Sequence, residues 1–65
     1  MHKFRVNLTD VRGDKITVEL ASESEQDAKI ITAHCCNVSV KKITSIEYIG
    51  ETNEAYFKTI STESN

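Results

Sequence analysis

From His2 to Thr9 the chain reads "HKFRVNLT", with Phe4, Val6 and Leu8 on one side and Lys3, Arg5 and Asn7 on the other. Alternation of period two is the mark of a strand with one buried face. "KITVEL" repeats it: Ile16, Val18 and Leu20 point inward, while Lys15, Thr17 and Glu19 point outward. Between the two runs lies "DVRGD", a turn segment in which Gly13 can supply a positive φ. The pair predicts an antiparallel hairpin with one apolar face.

After Leu20 the alternation stops. "ASESEQDAKIITAHCC" carries the chemistry of a helix start instead. Ser22 and Glu25 match a capping box, with Ser24 and Asp27 as a second candidate pair. Acidic side chains in the first turn also suit the positive end of the helix dipole. Ala28, Ile31 and Cys35 recur at i, i+3 and i+7 and are the expected buried stripe, with Ala21 or Ala33 at its edges. Asn37 tolerates the left-handed conformation and is expected to end the helix.

Beyond it, "VSVKKITSIEYIG" is rich in β-branched residues and predicts extended chain. Its phase slips: Val38, Val40, Ile46 and Tyr48 agree, whereas Ile43 and Ile49 take the opposite side. Either a bulge near Lys41–Lys42 or a late strand start accounts for this. "GETNE" reads as a turn and "AYFKTI" as a last, edge strand. The pattern therefore predicts an α+β fold of order β-β-α-β-β, a mostly antiparallel sheet with one helix packed on one face. Residues 1–60 form a single small domain in this reading, and 61–65, "STESN", are expected to be a disordered tail.

Sixty-five residues support only a thin core, with a stability of about 3–5 kcal/mol. That thinness makes a homodimer, or docking on a larger partner, an expected route to extra stability, and it lowers the expectation of an enzyme. With 38% hydrophobic and 28% charged residues the composition is that of an ordinary globular domain. The absence of a long apolar run predicts no membrane span. "MHKFRVNLTD" lacks the apolar stretch of a secretory leader, so a cytoplasmic location is expected.

The net charge of −2 is unevenly spread. Residues 1–18 carry Lys3, Arg5, Arg12 and Lys15 against Asp10 and Asp14, whereas residues 19–27 carry Glu19, Glu23, Glu25 and Asp27 with no base. "AHCCNVSV" invites a metal or nucleophile reading, yet neighbouring helical residues diverge by about 100° and cannot converge on one ion. A structural zinc site needs further ligands at set spacing, and His2 is the only other histidine. A cysteine nucleophile needs a base within reach and a group to orient it. Cys35 is thus expected as a small core residue, flanked by Cys36 and His34 at the helix end. No metal, cofactor or catalytic residue is predicted.

Lys3, Arg5, Lys15 and Lys41 are expected together on the open sheet face, with Lys42 and Lys58 nearby. Such a face can be simply solvated, can meet a protein surface, or can hold nucleic-acid phosphates. The strands lack the aromatic-rich pattern of an RNA-binding sheet. Tyr48, Tyr56 and Phe57 are candidate apolar anchors for a protein contact, or else pack in the core and at the edge.

"VELASESEQDAKII", the cysteine at the helix exit, "VKKITSIEYIG" and "AYFK" together resemble small type I-F anti-CRISPR proteins of phage. The resemblance spans residues 16–58 and is closest around Ser22, Ala28, Lys29 and Ile30. It implies a non-enzymatic inhibitor that evades host defence in the host cytoplasm. Such a protein binds the RNA-guided surveillance complex on the subunits that hold the guide and blocks pairing with target DNA. The candidate partner-binding residues are Lys3, Arg5, Lys15, Lys29, Lys41, Lys42 and Tyr56. The alternative is a small nucleic-acid-binding or regulatory phage accessory protein that uses the basic sheet face.

Overall fold

A computed structural model describes residues 1–64. Four strands form one sheet in the order β3-β1-β2-β4, with β1 at His2–Thr9, β2 at Lys15–Ser22, β3 at Ile43–Glu51 and β4 at Phe57–Glu63. A helix, α1, spans Glu25–Cys36, and a short 3-10 turn follows at Val40–Lys42. The fold is α+β, as the sequence pattern predicts, with the 3-10 turn as an added element. Both β2 and β3 run antiparallel to β1, which lies between them. Those two strands are therefore parallel to each other, and α1 is the crossover that links them.

The β1–β2 hairpin closes as the alternation demands, in continuous register from His2↔Ser22 to Thr9↔Lys15. Backbone hydrogen bonds from Asp10 to Asp14 and from Gly13 to Asp10 close its loop, and the Asp10 side chain adds two more. Asp10 Oδ1 accepts hydrogen bonds from the amides of Arg12 (2.8 Å) and Asp14 (2.9 Å), and Gly13 takes φ 87, where a side chain would be strained. Burial alone would push the Asp10 carboxyl up, but the two amides and the Arg12 charge outweigh it and hold its pKa below the usual value.

Phe4, Val6 and Leu8 meet Val18, Leu20 and Ala28 in the core, with Ile16, Cys36, Val38, Ile43, Ile46 and Phe57 packed around them. The helix presents small residues to this sheet. Ala28 and Thr32 are fully buried and Ala33 nearly so, while Ile31 and Cys35 are exposed. The buried stripe is thus Ala28, Thr32 and Cys36 at i, i+4 and i+8, not Ala28, Ile31 and Cys35. Small side chains on this stripe permit close packing of the helix on the sheet.

Other expectations are corrected in the same way. Ser22 is the buried last residue of β2, and its hydroxyl donates to the Ser24 carbonyl (2.7 Å). The helix cap is the second candidate, Ser24, whose Oγ accepts from the Asp27 amide at 3.1 Å. Asn37 ends the helix in the left-handed region, φ 54. The phase slip after it has two sources. The strand starts late, at Ile43, after the 3-10 turn, and its register with β1 then shifts between Asn7 and Leu8 and again between Lys3 and Phe4. Thr44 and Ile49 are the extra residues at those shifts. Val38 packs on the core from the loop, whereas Val40 is exposed.

The last strand begins later and runs further than "AYFKTI". Ala55 and Tyr56 belong to the loop, and β4 continues through Ser61 and Thr62 to Glu63, paired with Lys15. Ser61–Glu63 are exposed yet ordered by this backbone pairing, in place of the disordered tail; Asn65 lies outside the described residues. Between β3 and β4 the chain crosses the end of β1 and β2 to reach the opposite edge. Reciprocal hydrogen bonds between Met1 and Thr52, and one from the Ala21 amide to the Tyr56 carbonyl, tie this loop down.

Candidate functional site: the open sheet face

Because α1 covers one face of the sheet, every second residue of each strand is left on the other. Register aligns these residues into rows across the strands. One row reads Glu47–Arg5–Glu19–Lys58, with alternating charge. Arg5 reaches Glu47 at 3.4 Å and Glu19 at 3.8 Å, and Lys58 reaches Glu19 at 3.7 Å. Glu19 also accepts from the Tyr56 hydroxyl at 3.1 Å, and the Lys58 ammonium lies 5.8 Å from the centre of that ring. Partial burial, followed by this hydrogen bond to a carboxylate, raises the Tyr56 pKa.

The next row is neutral: Ser45–Asn7–Thr17–Ser61. Asn7 Nδ2 donates to Ser45 Oγ (2.9 Å), and Thr17 Oγ1 donates to Asn7 Oδ1 (2.6 Å). The Thr44 hydroxyl donates to the Asn7 carbonyl at 3.1 Å. Together with Thr9, Lys15, Glu63 and the apolar Leu8 and Ile16 these residues line an open groove of about 390 Å³ at the hairpin-loop end of the face. Hydroxyls that already give their proton to a neighbour keep free lone pairs, so the groove offers acceptors and a few donors in fixed positions.

The seven residues predicted to bind a partner do not form one patch. Lys3, Arg5, Lys15 and Tyr56 lie on the open face, with Arg5 neutralised by two glutamates. Lys29 is on the helix side and reaches Glu25 at 3.9 Å. Lys41 and Lys42 sit in the 3-10 turn before β3, not on a strand. Of the three aromatic residues, Phe57 packs on the core and Tyr56 is bound to Glu19. Tyr48 is 57% exposed and stands edge-on to Phe4 and His2. Its hydroxyl donates to Glu51, which also meets His2 Nδ1.

Asn7 and Thr17 are visible as outward residues in the sequence, but their partners Ser45, Ser61 and Glu63 are not. Only the register of β3 and β4 brings them alongside. Glu19, which ties Arg5, Lys58 and Tyr56 together, carries no sequence signal beyond its outward phase.

His34 and Cys35 are exposed, and Cys36 turns toward the core, where burial and then the neighbouring Cys35 raise its thiol pKa. Among the described residues no group of three or more histidine, cysteine, aspartate or glutamate side chains is placed to hold a metal ion. No helix is long and apolar enough to cross a membrane. Comparison with protein-family models, with curated proteins and with solved structures finds no match to this chain.

Proposed function

We propose that this chain is a binding protein that occludes a surface of a larger partner, and that the partner is an RNA-guided surveillance complex. The resemblance to type I-F anti-CRISPR proteins supplies the class of target. The observation that carries a binding role is the open sheet face, where rigid strands hold a hydrogen-bonding groove beside a charge-balanced row. A surface of this kind recognises polar groups through fixed geometry, not through bulk charge. Internal pairing of Arg5 and Lys58 leaves the centre of the face close to neutral, which favours a protein contact over nucleic-acid phosphate contacts.

The nucleic-acid reading draws its support from Lys15, which lines the groove, and from Lys41 and Lys42, which precede the groove residues Thr44 and Ser45 in sequence. The two readings separate in one experiment. The purified chain is mixed with a reconstituted type I-F surveillance complex, and co-elution and target-DNA binding are measured. Inhibition predicts co-elution and loss of DNA binding, and Thr17→Arg with Ser45→Arg, which fill the groove, relieve both effects. Retention of free DNA or RNA by the isolated chain, with affinity falling steeply as salt rises, supports the accessory-protein reading instead. Absence of co-elution with the complex rejects the inhibitor reading.

A further inference from the structure

The helix is oriented against its own hydrophobicity. Its sheet side carries Ala28, Thr32, Ala33 and Cys36, while Ile30 is 52% exposed and Ile31 37% exposed. Asp27, Ile30, Ile31 and His34 recur at i, i+3, i+4 and i+7, which places them in one stripe on the solvent side. An apolar centre with one polar residue on each side is the layout of a helix–helix contact. The flanks also differ in charge. Glu23, Glu25 and Asp27 stand at the start of the helix, whereas His34 ends it and Lys41 and Lys42 follow in the turn packed against it.

This polarity selects the occupant. From these features we infer that a second copy of this chain packs on the stripe, helix against antiparallel helix, about a twofold axis that passes between Ile30 and Ile31. That axis sets Ile30 and Ile31 against their own counterparts and Asp27 of each copy against His34 of the other. It also brings the acidic start of each helix toward the basic turn of its mate. A parallel arrangement would place like charges together instead. The contact is isologous, so each favourable pair occurs twice and the assembly closes as a dimer. It adds apolar burial to a chain whose own core is thin. The helices form the middle of the dimer, and both open sheet faces remain outside. The inference does not rest on the proposed function, and either can fail without the other.

Sedimentation equilibrium of the full chain, from about 1 µM to about 500 µM, tests it. A concentration-dependent dimer is expected. Ile30→Glu with Ile31→Glu is expected to weaken it by more than about 100-fold, with far-ultraviolet circular dichroism checking that the variant still folds, since Ile31 is 37% exposed. Asp27→Arg and His34→Asp alone are each expected to weaken dimerisation roughly 5- to 30-fold. Combined in one chain they restore it to within about threefold of the parent, since an acidic and a basic side chain again face each other. A chain that stays monomeric throughout overturns the inference. So does a dimer that survives the two glutamates, or single reversals that the double reversal does not rescue. Ile60→Lys, on the free edge of β4, is expected to leave the dimer intact, and loss of the dimer in that variant overturns helix pairing in favour of edge pairing.

Discussion

Replacing Thr32 by valine exchanges one hydroxyl for a methyl group of nearly the same size at the centre of the helix–sheet contact. Thr32 is fully buried, and among the described residues its Oγ1 finds no hydrogen-bond partner. A hydroxyl taken out of water without compensation costs about 1–3 kcal/mol. Both residues are β-branched and differ little in helix propensity, so the backbone preference nearly cancels. Thr32→Val is therefore expected to stabilise the protein by about 1–3 kcal/mol, a large share of the ~3–5 kcal/mol available to so small a core. With a urea slope of about 1 kcal/mol/M, the midpoint should rise by roughly 1 M or more. Circular dichroism during urea unfolding measures this, at one protein concentration because self-association would also move the midpoint. Thr32→Ser, which keeps the hydroxyl and deletes the methyl group, is the control and should lower the midpoint. A valine variant that folds but unfolds at the same or lower urea refutes the reasoning, because Oγ1 must then have a partner in the folded state, with the Ala28 carbonyl one turn back as the first candidate.

Two further predictions concern other parts of the fold. Cys35→Ser should change stability by less than about 0.5 kcal/mol, and Cys36→Ser should cost about 1–2 kcal/mol, because only Cys36 packs on the core; a maleimide reagent under native conditions should label Cys35 first. Hydrogen bonds to Glu51 from His2 and then Tyr48 hold its carboxyl below the usual range. Its contribution to stability is therefore complete above the unfolded value of 4.5 and is lost as pH falls through the lower folded value. Urea midpoints measured from pH 6 down to about pH 3 should show this loss in the parent and a shallower one in Glu51→Gln; identical slopes in the two would remove Glu51 from the acid transition.

The hairpin was legible because its two signals act locally. Strict alternation assigns each β1 and β2 residue a face, and "DVRGD" supplies both the accepting carboxylate and the glycine its loop needs. The helix was legible in position but not in phase. Its periodicity places Ile31 and Cys35 inward as readily as Thr32 and Cys36, and the choice depends on how near the helix can approach the sheet. Ser22 shows the same limit, since a serine just before an acidic run fits a cap until the neighbouring strand extends through it and buries it.

The polar and apolar order of residues by itself determined the element sequence, the buried faces of β1 and β2 and the helix exit at Asn37, because each depends on neighbours a few positions away. Tertiary structure alone decided that β4 joins β2 at the far edge, that Glu19 binds Arg5, Lys58 and Tyr56, and that the isoleucines of α1 face solvent. These outcomes depend on register between strands distant in sequence and on the room between helix and sheet. A one-residue shift in either leaves the pattern of the chain unchanged but moves every side chain to a different neighbour.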